Sequence, residues 1–299
     1  MNNLFVYCEI EDGAVLDVSL ELLTKGKSLA AQLGCKLEAV AIGHNLDGIE
    51  RQVAPYGVDI LHLFDDKRLY PYTSLPHPSI IINLFKQEQP QVCLMGATVI
   101  GRDLGPRVSS SLFSGLTADC TALEIGSHED RKAGKTYEKL LYQIRPAFGG
   151  NIVATIINPD NRPQMATVRE GVMKKEIFDA AYKTEVVKHD VAKYVSDADF
   201  VVNIIERHVE KAKHNLKGSP IVVAGGYGMG SKENFDIVKC ENCGLKITGN
   251  PPSEIPAYYE NPDYISHSDT HKGIINNIYH KVREIMLRKK ARWIEKYGG

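Results

Sequence analysis

The strongest constraint on the fold is a series of short, continuously apolar runs alternating with helical patterns. Leu4 to Cys8 precedes a helix-spaced set at Ser19, Leu22, Leu23, Gly26, Leu29, Ala30 and Leu33, and Leu37 to Ile42 follows as a β-rich run ending in Gly43. Val58 to Phe64, a helix over Ser79 to Gln87, and Val92 to Gly96 repeat the order. Strands apolar on both faces belong in a parallel sheet covered on both sides, which predicts an α/β sandwich with its site at the carboxyl ends of the strands. A polar turn at Asp130 to Thr136 separates two more strands. Ile152 to Ile157 and Met165 to Val168 then extend the sheet, and their short connections predict antiparallel pairing. Lys174 to Lys217 is charged and weakly periodic, with one β-like run at Phe200 to Ile205 read as the strand that closes the domain.

With 299 residues, 43% of them hydrophobic and 24% charged, the chain can fill one large or two medium globular domains. A net charge of −1 gives no bulk attraction for nucleic acid, so charge-driven contacts are local. No apolar run approaches a bilayer span, and strand signals begin at Leu4 without a basic leader, so a cytoplasmic location is expected. Cys8, Cys35, Cys93 and Cys120 stand singly in apolar runs, as buried free thiols do.

Three glycine-punctuated blocks interrupt this framework at strand ends, where arginines and bare amides can meet an anion or a partner. They are Gly96 to Arg107 (GATVIGRDLGPR), Arg145 to Asn151 (RPAFGGN) and Arg162 to Arg169 (RPQMATVR). Together with Gly-Leu-Thr-Ala-Asp at Gly115 to Asp119, they resemble the first domain of electron transfer flavoprotein α subunits in order and rough spacing. The resemblance covers Leu4 to about Val238. It implies a three-layer, mostly parallel sheet of the nucleotide α-hydrolase-like type over residues 1–217, and a β subunit as partner. It also implies exchange of electrons with an acyl-CoA or other flavin dehydrogenase, by a bifurcating or an ordinary route.

Ile221 to Ala224, Gly225 to Ser231 and a helix start near Glu233 form a strand, glycine-rich turn and helix N-terminus, a general anion site. Within the resemblance, residues 218–238 open the α subunit's FAD-binding domain, so Gly225, Gly226, Gly228 and Ser231 are its cofactor residues. Tyr227 stands where the family has an arginine. After Val238 no Ser-Arg pair, Gln-Thr-Gly turn or Asn-Lys-Asp segment follows, so this chain's own flavin site is expected to be incomplete and FAD to lie mainly at the β-subunit interface.

In the family, the arginine of the Arg-Pro-Ala-Phe-Gly-Gly block lies near the partner's cofactor, which assigns Arg145, with Gly149 and Gly150, to cofactor contact. A guanidinium near a flavin ring favours its anionic reduced form; the plainer reading is an interface arginine. Arg102 is a second cofactor candidate, although Arg102, Asp103 and Arg107, in a loop stiffened by Gly105 and Pro106, also read as an ion network that shapes the domain. Arg162 and Arg169 read as strand-end arginines bonding neighbouring loops.

Residues 239–299 form an atypical C-terminal segment. Cys240 and Cys243 have the spacing of half a zinc knuckle, and His267 and His271 are the available second pair; free thiols or a redox pair are the alternative. Pro251, Pro252, Pro256 and Pro262 mark a linker before one amphipathic helix from Gly273 to Tyr297. No Ser-His-Asp or paired-carboxylate arrangement stands out, so an electron-carrier component is expected rather than a stand-alone catalyst. An adenine-nucleotide-binding module, or a structural subunit that lost its flavin, is the alternative.

Overall fold

The computed structural model describes residues 3–131, 134–147 and 152–208, together with 236–239 and 246–249. In chain order the strands are β1 (Leu4–Cys8), β2 (Ile10–Glu11), β3 (Ala14–Val15), β4 (Leu37–Gly43), β5 (Ile60–Asp65), β6 (Val92–Gly96) and β7 (Leu116–Cys120). They continue with β8 (Ala122–Asp130), β9 (Lys135–Ala147), β10 (Ile152–Ile156), β11 (Gln164–Val168), β12 (Glu185–Lys188), β13 (Asp236–Lys239) and β14 (Lys246–Gly249). The α-helices are α1 (Asp17–Leu33), α2 (Ile49–Val53), α3 (Pro76–Glu88) and α4 (Val99–Ser111). Residues 1–208 form one compact unit and 209–299 a second, in which β13 and β14 pair as an antiparallel hairpin.

Seven strands of the first unit form a sheet in the order β12-β5-β4-β1-β6-β11-β7, with every pairing parallel. Its core strands β1, β4 and β6 are buried at every position, which is why they read as unbroken apolar runs. Helix α1 turns Leu22, Leu23, Leu29 and Leu33 into one core layer, joined by Ile49 and Val53 of α2. On the other face, Ile80, Ile81 and Leu84 of α3 and Leu104 and Val108 of α4 pack over Phe5, Val40 and Cys93. The result is the three-layer α/β architecture. Gly26 lets α1 lie close to the sheet, since a Cβ there sits 2.9 Å from Leu37. Gly34, at φ 72°, ends the helix in the left-handed conformation.

Three expectations are corrected, although Ile152 to Ile156 does pair antiparallel, with β9. Met165 to Val168 is no antiparallel extension: β11 runs parallel between β6 and β7. The chain can return in that direction because residues 122–156 make a long excursion, a separate antiparallel sheet of order β10-β9-β8, so Ile152 to Ile157 does not extend the main sheet either. Phe200 to Ile205 is not the closing strand; it has no regular structure, and Val201, Val202 and Ile205 are exposed. The edge is β12, a short strand with mostly exposed side chains and therefore no apolar signature.

Buried polar side chains fasten that edge. His62 Nε2 donates to Glu38 at 2.7 Å, and its Nδ1 lies 2.9 Å from His189 Nε2, just beyond β12. Asn3 also donates to Glu38, and Tyr194 Oη lies 2.9 Å from His189 Nδ1. Burial, followed by the nearby His62, lowers the His189 pKa to about 4. Cys8, Cys93 and Cys120 are buried and Cys35 half-buried, all as free thiols. Among the described residues, no helix is long and apolar enough to cross a membrane.

Candidate functional site: an arginine cluster at the sheet end

Arg102, Asp103 and Arg107 lie on α4, not in a loop as their glycine and proline neighbours predict. The helix forms because Thr98 Oγ1 caps the Gly101 amide at 2.9 Å and because Gly101 and Gly105 allow close packing. Pro106 is tolerated inside it despite lacking a donor. Asp103 accepts from Tyr72 Oη at 2.8 Å and Arg107 Nε at 2.9 Å. Burial raises its pKa, but these bonds outweigh it and hold the carboxyl below the usual aspartate range.

Arg102 points to a different group. At the end of β7, Asp119 adopts φ 62°, a left-handed conformation that Asp tolerates better than most residues, while its amide donates to Thr167 Oγ1 at 3.0 Å. Arg169, just after β11, donates to its carboxylate through Nη2 at 2.6 Å and Nε at 3.3 Å. Arg102 Nη2 lies 3.5 Å away. The Asp119 pKa falls mainly through the Arg169 hydrogen bond, opposed by burial and reinforced by the charges of Arg169, Arg102 and Arg145. Two guanidiniums, from α4 and the end of β11, thus meet one carboxylate, and the charge of Arg145 on β9 adds to the field there. The patch has excess positive charge, and Arg102 and Arg169 stay about half exposed. Beside it, burial pushes the Cys120 thiol up to about 11, partly countered by Arg145, so it stays protonated at neutral pH.

Arg162 is separate: its Nη1 donates to the carbonyls of Asn158, Pro159 and Asn161 and holds the turn before β11. Gly149, Gly150, Gly225, Gly226, Gly228, Ser231, Cys240, Cys243, His267 and His271 lie outside the described residues, as does the segment from Gly273 to Tyr297, and the helix expected from about Glu233 is corrected, since Asp236–Lys239 is strand β13. Sequence reasoning missed Asp119 as a site residue, although its block was noted; nothing local shows that Arg102 and Arg169 meet there. A cavity of about 660 Å³ does lie at the carboxyl ends of strands, those of β1 and β4, and reaches Ile100 at the start of α4, but none of its lining residues was singled out from the sequence as a site residue. The chain leaves β1 and β6 toward opposite sides of the sheet, so the cavity lies beside a topological switch point.

The low Asp119 pKa gives a signed prediction. Its ionised form stabilises the fold above the ordinary aspartate value of 3.8, and this contribution disappears as pH falls through the lower folded value. Asp119→Asn should therefore narrow the stability gap between neutral and acidic pH. Urea unfolding across pH 2–7 checks this, and parallel stability profiles for the two proteins would reject it.

The chain matches the family model described as electron transfer flavoprotein domain over residues 4–194. It is 39% identical over 239 residues to electron transfer flavoprotein subunit alpha of Thermoanaerobacterium thermosaccharolyticum, covering 79% of this chain and 68% of that protein. Protein FixB of Clostridium saccharobutylicum is 40% identical over 237 residues, covering 78% and 66%. The acryloyl-CoA reductase electron transfer subunit beta of Anaerotignum propionicum is 37% identical over 257 residues, covering 80% and 69%. The matches thus span about two thirds of each relative's length. By the extent of its match and by these identities, the chain belongs to the electron transfer flavoprotein family, alongside its α subunits and FixB proteins.

Proposed function

We propose that this protein is the α-subunit-like half of an electron transfer flavoprotein. It pairs with a β subunit and relays electrons from a flavin dehydrogenase, either in the ordinary or in the bifurcating manner. The observation that carries the reading is the meeting of Arg102 and Arg169 at Asp119, with the charge of Arg145 added to the same field. One carboxylate cannot neutralise three guanidiniums, and the remaining positive potential suits an electron-rich group presented by a partner. FAD bound at that interface supplies the electron storage. The chain's own residues cover it, keep water away and place fixed positive charge close by. In this role Asp119 aims Arg102 and Arg169, while Arg145 would supply the charge held toward the cofactor. Gly225, Gly226, Gly228 and Ser231 are the candidates for this chain's share of flavin contacts, and Cys240, Cys243, His267 and His271 for a zinc site.

The test is co-expression with a β subunit, followed by flavin quantification and a spectroelectrochemical titration. A flavin-bearing heterodimer is expected. Arg145→Ala should make its flavin harder to reduce, by about 1–3 kcal/mol, the value of one charge-assisted contact. Superimposable titrations of the two complexes reduce Arg145 to an interface residue, and failure to form a heterodimer removes the reading.

A further inference from the structure

The cavity above β1 and β4 lies apart from the arginine cluster, and its walls present chiefly acceptors. Among the described residues that line it, the carboxylates are Glu9, Glu11 and Asp12, set against one guanidinium, Arg207. Aromatic surface comes from Tyr70, Tyr72 and Tyr7. His77 is 2% exposed, and its Nδ1 has no hydrogen-bond partner. Burial lowers its pKa to about 4, only partly opposed by the Thr73 backbone, so the ring is neutral and Nδ1 is left to accept from a donor. A phosphate is poorly served here. The start of α4 is capped by Thr98, whose hydroxyl donates to Glu9 at 2.5 Å, which places a carboxylate at the helix end that would attract an anion.

The chain's own contact shows what such walls hold. Arg207 Nη2 donates to Glu11 Oε1 at 2.5 Å, and Nη1 donates to Tyr70 Oη at 2.5 Å. Its guanidinium lies 5.7 Å from the Tyr70 ring centre, and the Tyr70 hydroxyl is 3.3 Å from Asp12 Oδ1. A carboxylate, a phenol oxygen and an aromatic face around one planar cation make a guanidinium subsite. Arg207 belongs to the irregular stretch 201–208, and about half of the Glu11 side chain stays exposed, so solvent weakens the pair. The cavity behind the entrance is in the size range of small-molecule sites.

We propose that this cavity binds a small organic cation rich in N–H donors, a guanidinium or primary ammonium compound, and that Arg207 occupies its entrance as a built-in competitor. Glu11 and Asp12 attract the cation, the tyrosine faces stack on it, and His77 Nδ1 accepts a hydrogen bond from a ligand that reaches past Tyr72. The proposal does not depend on the electron-transfer reading.

The experiment is isothermal titration of the full chain, without a β subunit, using agmatine as the cation probe and AMP and inorganic phosphate as anion probes. Agmatine should bind saturably, and neither anion should bind. Arg207→Gln should tighten agmatine about tenfold, and Glu11→Gln combined with Asp12→Asn should weaken it about tenfold, the size of one charge-assisted contact. Asn tolerates the φ of 50° at position 12, so the double variant should fold, which circular dichroism checks. Three results overturn the proposal: no saturable agmatine binding to either wild type or Arg207→Gln, unchanged affinity in the double carboxylate variant, or tighter binding of AMP than of agmatine.

Discussion

Gly101→Ala is expected to cost more than about 3 kcal/mol, at or above the upper end of ordinary overpacking. A Cβ at this position would sit 1.8 Å from the Gly96 carbonyl oxygen, which is backbone at the end of β6 and cannot rotate away. The first turn of α4 must therefore move outward. Its N-cap bond from the Gly101 amide to Thr98 would be strained, and Arg102, one residue on, would leave Asp119. Urea unfolding gives the stability change; a loss below about 1 kcal/mol would show that the helix start shifts easily.

The second large effect is expected at Glu38. It is 2% exposed and accepts from both His62 and Asn3. Glu38→Ala leaves the buried His62 Nε2 without an acceptor and disturbs the His62–His189 contact that fastens β12, for a loss of about 3 kcal/mol or more. The chain from His189 to Phe200 should loosen with it, because Tyr194 meets His189 and Gln87. Hydrogen exchange resolves the two effects. Unchanged protection of the β12 amides in a destabilised variant would mean that the histidine pair does not hold the edge.

What could be read from the sequence follows from how far each signal reaches along the chain. Strands β1, β4 and β6 and helices α1 and α3 are legible because burial imposes continuous apolar runs or 3.6-residue spacing on consecutive residues. The place of β11 is not legible. Gln164 to Val168 is buried throughout, but no local pattern says that it enters between two strands already made. β12 failed for the opposite reason, since it presents mostly exposed side chains. At the site, Arg145, Arg102 and Arg169 carried separate signals. The meeting of Arg102 and Arg169 at Asp119 depends on a left-handed residue at the end of β7, and the acceptor-lined cavity gathers Glu9, Glu11 and Asp12 with Tyr70, Tyr72 and His77, far apart in sequence.

The insertion of β11 also fixes an order of events during synthesis. β6 and β7 leave the ribosome before β11, and the chain from Thr121 to Pro163 must emerge before the strand that joins them. Until then both strands have an open hydrogen-bonding edge beside buried-type side chains such as Cys93 and Met95, the kind of surface that recruits stray strands. Translation adds roughly 5–20 residues per second, so the gap stays open for seconds. The half-sheet β5-β4-β1-β6 can assemble early from local crossovers, whereas the arginine cluster cannot exist before Arg169 is made. The nascent chain therefore acquires its parallel core first and its electrostatic face only after β11, with edge strand β12 still to come.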